Sequence, residues 1–217
     1  MSNNASKYSA EDEQTSKVSA RSKSVLLYSA AFLLAELMML FILKANHFYP
    51  FGTKSMLIMD MRDQNVEFLA SLRSMIHGDN SLFFSWARSM GGNYMGVFAF
   101  YISSPLSFLT LLFPVSKMPV AIEIITVLKI GLCSLTFVIY ANYLRRKYNG
   151  QRYFALLLPA IGYAFMSYTM VYSLSIMWLD GVIFLPLVLL GAEKILDGKR
   201  GICFIICYAL LCMSNYY

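Results

Sequence analysis

Long, unbroken apolar runs recur along this chain, and they limit its possible folds more than any other feature. The runs are Val25 to Leu43, 119–143, 153–173, 182–197 and 202–217. Most reach the roughly 17–25 residues that a helix needs to cross a hydrocarbon core of about 30 Å. They are continuous rather than alternating, so helices and not barrel strands are the expected spanning elements. Hydrophobic residues make up 58% of the sequence and charged residues 14%, against roughly 25% charged in a soluble domain. Mean hydropathy is +0.57. The chain lacks the polar surface to enclose a soluble globule, and the expected class is an all-α polytopic transmembrane helix bundle.

The net charge of +6 sits in short clusters beside the apolar runs. That distribution is a topology signal and argues against a nucleic-acid partner. Cys133, Cys203, Cys207 and Cys212 all lie inside apolar segments, where a disulfide framework is not expected. No metal-ligand spacing involves them, and His47 and His77 are isolated, so no metal site and no cofactor are expected, although a divalent-metal requirement stays open.

Residues 1–24 are polar and serine-rich, and read as a disordered cytoplasmic tail ending in Lys17, Arg21 and Lys23. An uncleaved first helix over 25–43 follows. The stretch 44–118 reads as a long extracytoplasmic loop. Within it, Asn65 to Ile76 places Val66, Leu69, Leu72 and Ile76 on one face of a short amphipathic helix. The segment 97–113 is apolar enough to pass for a span, and charge parity decides against that. If it does not cross, the N-terminal positives, RRKYNGQR (145–152) and DGKR (197–200) all share the cytoplasmic side. WLDG (178–181) then joins the long loop outside. Ser103-Ser104-Pro105 supports a broken, re-entrant or interfacial element, because proline interrupts a helix there. The map then has about four further spans in 119–217, the last cut short at Tyr217, as in a piece of a longer chain.

Two carboxylate-bearing loops share the outer side. Asp60 opens DMRDQNVEF and Asp180 lies in WLDG. A group transfer from a lipid-phosphate donor needs a carboxylate base there, with cationic or hydrogen-bonding groups for the leaving phosphate. Arg62, Gln64, Arg73 and Arg88 are the candidates. The structural alternative is that Asp60 caps a helix and Asp180 belongs to a turn. Asp63 and Glu67 fit a solvated helix face. Glu36 and Lys129 lie deep inside the first two spans, where a charge costs roughly 2.5–3.5 kcal/mol, so a mutual ion pair, a partner in a further part of a longer chain, or a polar cavity is expected. Glu193 and Lys194 are close enough to a span end to reach water.

The order of several motifs resembles the YfhO-like family of bacterial membrane proteins. The matching residues are Asp60, Gln64, Phe84-Ser85-Trp86, Gly91-Gly92-Asn93 and Ser104-Pro105-Leu106. They continue through LKIGL (128–132), IMWLDGVIFLPL (176–187) and SNYY (214–217). The resemblance runs from about Val25 to the end and covers the N-terminal part of a longer family. Asn65 and Arg88 depart from the family's pattern without touching the aspartate. The resemblance implies a GT-C-like glycosyltransferase at the cell membrane. Its donor would be a polyprenyl-phosphate sugar and its acceptor an envelope polymer such as lipoteichoic acid of Gram-positive bacteria. Asp60 would be the base and Asp180 a second catalytic acid, with Arg62, Gln64, Arg73, Arg88, Asn93 and Trp178 as substrate-binding residues. The rival readings are a polytopic transporter or lipid flippase working through Glu36 and Lys129, and an interaction or scaffold subunit.

Overall fold

A computed structural model describes residues 2–78, 81–86, 90–150 and 152–214, with side chains from Arg21 onward. The first helix, α1 (Ser2–Ala45), is longer than its apolar run. It extends back through residues expected to form a disordered tail. The sequence contains neither glycine nor proline before Pro50, so nothing in it stops the helix there. In the apolar half, Leu27, Ala31, Ala35, Met39 and Leu43 form a buried stripe at four-residue spacing. Leu26, Leu33, Leu37 and Phe41 on the other faces are exposed, the pattern of a helix with apolar surroundings on all sides.

The bundle is built on α4 (Met118–Lys147), whose 30 residues span about 45 Å at 1.5 Å per residue. It packs against α1, α5 (Leu157–Ala164) and α7 (Trp178–Leu196), and α7 packs in turn on α8 (Ile202–Ser214). Small residues set the α1–α4 distance. A Cβ on Gly131 would lie 2.4 Å from Glu36 Oε1, and Ser134 Oγ donates to the Ala31 carbonyl at 2.9 Å. Among the described residues two helices, Arg21–Ala45 and Val115–Lys147, are long and apolar enough to cross a membrane. The number rises to four if each of two bent pairs counts as one span. One pair is Phe154–Ala164 with Ser167–Leu174, the second arm holding α6 (Ser167–Val171), bent by 43°, so the run 153–173 is not a continuous helix. The remaining expected spans correspond to α7, 19 residues carrying Asp180, Glu193 and Lys194, and to α8, an apolar helix of 13 residues.

The other bent pair is Tyr94–Ile102 with Pro105–Leu112, turned by 98°. Its first arm is α3 (Tyr94–Val97) continued by one wide turn, and its second is a 3-10 helix. Both outer ends lie beside one turn of α2 (Val66–Ile76). Tyr94 and Ser71 share a hydroxyl hydrogen bond of 2.8 Å at the start, and Arg73 Nη1 donates to the Leu111 and Phe113 carbonyls at the finish. The element therefore leaves α2 and comes back to it. On α2 itself, Leu69 and Leu72 are buried and Val66 is half-buried, as the spacing predicts, but Ile76 is exposed and Met75 packs in its place. The helix begins one residue later than expected and closes at His77, directly after Ile76.

The basic clusters gather at one end of the bundle. Arg146 donates to Ser24, Lys147 bridges Glu193 and Asp197 at 2.7 and 2.8 Å, and Lys199 donates to Tyr143. Asp60 and α2 lie at the other end, where α2 packs on α4 and Glu123 Oε1 accepts the Met56 N–H at 3.4 Å.

Candidate functional site

Asp60 stands at the entry to a five-residue wide turn, Met61–Asn65, that runs into α2. Its side chain makes no capping bond to the turn, so the helix-cap alternative does not describe it. The residue before it, Met59, holds φ at 48°, a left-handed conformation rare outside glycine and costly when it persists. Asp60 is exposed. Gln64 Nε2 donates to its Oδ1 at 3.0 Å, and Gln64 Oε1 accepts from the Tyr101 hydroxyl at 2.8 Å. Among the described residues the carboxylate has no other partner. Arg62 and Asp63, on the same turn, are exposed and lie 3.9 Å apart. They line a cleft of about 620 Å³ with Ser55, Glu67 and Pro119, and Asp60 is not among its lining residues.

Asp180 is in a different environment. It is 1% exposed, and Lys129 Nζ meets its Oδ2 at 2.7 Å. Ser104 Oγ donates to its Oδ1 at 2.9 Å, and Lys129 also donates to the Ile176 carbonyl at 2.8 Å. Ser104 is the hinge of the 98° bend, so the ion pair ties α4, α7 and the tip of the broken element together. The expected Glu36–Lys129 pair does not form. Lys129 turns to α7, because that helix packs on α4 and brings it the Asp180 carboxylate of its first turn and the Ile176 carbonyl just before it. Glu36 Oε1 is left buried with no partner among the described residues. It lies in an apolar groove of about 660 Å³ between α1 and α4, which Glu123 also lines.

The other expected site residues scatter. Arg73 is half-buried and spends its guanidinium on the two carbonyls that end the 3-10 helix. Asn93 caps α3, accepting the Met95 N–H at 2.9 Å. Trp178 is half-buried and packs against Tyr172 with ring centroids 4.9 Å apart. Arg88 lies outside the described residues. No group of three or more metal-ligating side chains occurs among the described residues. Tyr101 and Glu123 escaped the sequence reading. Glu123 was detectable as an acid inside an apolar run, whereas Tyr101 is one of 15 tyrosines and nothing local distinguishes it.

Compared with known protein families, the chain matches the bacterial membrane protein YfhO over residues 30–217. It belongs to the YfhO family. No curated protein and no solved structure matches it. The part shared with the YfhO family contains Asp60, Gln64, Tyr101, Ser104, Lys129 and Asp180, so the open carboxylate and the buried ion pair both belong to the family's segment. Family membership and the apolar helices together make this a membrane protein.

Proposed function

We propose that the protein is a membrane glycosyltransferase of the GT-C-like class, moving a sugar from a polyprenyl-phosphate carrier to an extracytoplasmic envelope polymer such as lipoteichoic acid. The observation that carries this reading is Asp60. It is an exposed carboxylate held on one oxygen by Gln64, two residues before Arg62, at the end of the bundle opposite the basic clusters. With those clusters in the cytoplasm, Asp60 faces outward.

The chemistry is a single displacement. Asp60 accepts the proton of an acceptor hydroxyl as that oxygen bonds to the anomeric carbon. The bond from that carbon to the carrier's phosphate oxygen breaks, and the phosphate leaves with the electron pair. The anomeric centre inverts. Arg62, exposed on the same turn, meets the leaving phosphate in this reading. The carrier's apolar chain lies along the exposed Phe108 and Leu112 of the re-entrant arm. Asp180, paired on both oxygens, acts as a lock in this reading rather than as a second acid.

The test uses the full-length chain in a host lacking its own teichoic-acid glycosylation, at equal membrane levels of each variant. Wild type should restore sugar to the polymer, and Asp60→Asn should lower transfer by roughly 10²–10⁴-fold, the range of general acid–base catalysis. Sugar transferred by Asp60→Asn at the wild-type rate would remove the base assignment. One observation favours the transporter or flippase reading, the unpartnered Glu36 oxygen in its apolar groove. That reading requires Glu36→Gln to abolish function while Asp60→Asn keeps it.

A further inference from the structure

Gln64 has a donor end and an acceptor end, and only one orientation suits Asp60. An ionised carboxylate repels the amide oxygen and accepts from the amide N–H. The Tyr101 hydroxyl, 2.8 Å from Gln64 Oε1, fills the acceptor end and holds the amide with its N–H toward Asp60 Oδ1. Tyr101 is itself well fixed. Its ring packs against Phe68 at 4.7 Å and against Phe100 at 4.5 Å between centroids. Three residues further on, Ser104 is bonded to the buried Asp180–Lys129 pair. Asp60 and Gln64 are four residues apart on a wide turn, the spacing that brings side chains together on one helix face. The carboxylate is thus referenced to the bundle core through Gln64 and Tyr101, although Asp60 itself lies on an exposed surface.

We propose that Tyr101 and Gln64 are positioning residues for Asp60. Tyr101 orients the Gln64 carboxamide, and the carboxamide fixes which carboxylate oxygen is left to take the acceptor's proton. Neither residue needs to touch the sugar or the carrier. The role rests on the reading of Asp60 as the base, and it makes a prediction that this reading alone does not. Tyr101 should act only through Gln64, because its hydroxyl bonds to nothing else among the described residues.

Wild type, Asp60→Asn, Tyr101→Phe, Gln64→Ala and the Tyr101→Phe/Gln64→Ala double variant would be compared as full-length protein in detergent. Donors would be drawn from a panel of polyprenyl-phosphate hexoses and N-acetylhexosamines, with lipoteichoic acid as acceptor. Tyr101→Phe keeps the ring and its packing and removes only the hydroxyl. It should lower kcat about tenfold while KM for donor and acceptor stays within about twofold, the signature of lost alignment rather than lost binding. Gln64→Ala should lose at least as much. In the Gln64→Ala background, Tyr101→Phe should cost nothing further.

A wild-type kcat in Tyr101→Phe would overturn the proposal, as would a loss expressed mainly in KM or losses that multiply in the double variant. If Asp60→Asn transfers like wild type, or wild type turns over no donor in the panel, the base reading falls and the positioning role falls with it. Loss of transfer in Asp60→Asn with a fully active Tyr101→Phe refutes the positioning role alone. Thermal melts of each variant separate these outcomes from simple unfolding.

Discussion

Asp180 is sealed between α4, α7 and the tip of the broken element with a donor on each oxygen, whereas Asp60 stands exposed with a single amide donor. The two carboxylates therefore do different physical work. A buried charge persists only when it is paired, and such a pair is expensive to break from one side. An exposed carboxylate costs little to keep and remains able to exchange a proton with whatever enters beside it. The bundle keeps the first as a fastener and leaves the second available for chemistry.

The strongest way to break that comparison is to remove one side of the fastener. Lys129→Met leaves Asp180 buried and unpaired and should destabilise the bundle by about 3–5 kcal/mol. It should be read as a lower melting temperature of the full-length chain in detergent and a lower level in membranes. Adding Asp180→Leu should recover most of the loss, because two apolar side chains of similar size do not need each other. Asp60→Asn, by contrast, should melt within about 0.5 kcal/mol of wild type, as an exposed surface change does. A Lys129→Met protein as stable as wild type would mean that the pair does not fasten these elements.

A smaller effect should come from the hinge. Ser104 Oγ donates to Asp180 and also accepts the Leu106 N–H at 3.3 Å, at the start of the 3-10 arm. Ser104→Ala removes both bonds while leaving Asp180 its lysine, for an expected loss of about 1–2 kcal/mol. Because the bend also carries Tyr101, hydrogen exchange at the backbone of 98–112 should speed up before the rest of the bundle responds. Unchanged exchange there would separate the hinge from the ion pair.

Much of the fold is legible in the apolar runs, and the broken element is legible in Ser103-Ser104-Pro105, where the chain bends by 98°. The amphipathic face of α2 follows from residue spacing except at its last turn. Pairing of the charged groups is not legible. Glu36 and Lys129 both sit deep in apolar runs and look complementary, yet Lys129 reaches a residue 51 positions away because α7 docks on α4 at that level. That register depends on the packing of whole helices, including the small residue Gly131 against α1, and no local pattern carries it. Asp60 is legible as a charge in the long first loop. The amide and hydroxyl that hold it come from two elements 37 residues apart, and only folding brings them together.

The weakest expected effect lies at the far end, where Asp197 closes the cluster of Lys147, Glu193 and Tyr143. Hydrogen bonds from Lys147 and from the Tyr143 hydroxyl hold its carboxyl below the ordinary carboxylate value. A carboxylate whose folded value is depressed adds stability above its unfolded value, near 3.9, and loses it as pH falls through that range to the folded value. Melting temperature should therefore decline on acidification below about pH 4 in part through this residue. Asp197→Asn should flatten that decline while changing the neutral-pH melt only slightly, since exposed pairs contribute little and are screened by salt. Added salt should shrink the difference further and leave the effect of Lys129→Met almost unchanged, because the buried pair is shielded from ions. Equal salt sensitivity at the two ends would show that water and ions reach Lys129, and the contrast between a sealed and an open carboxylate would fail.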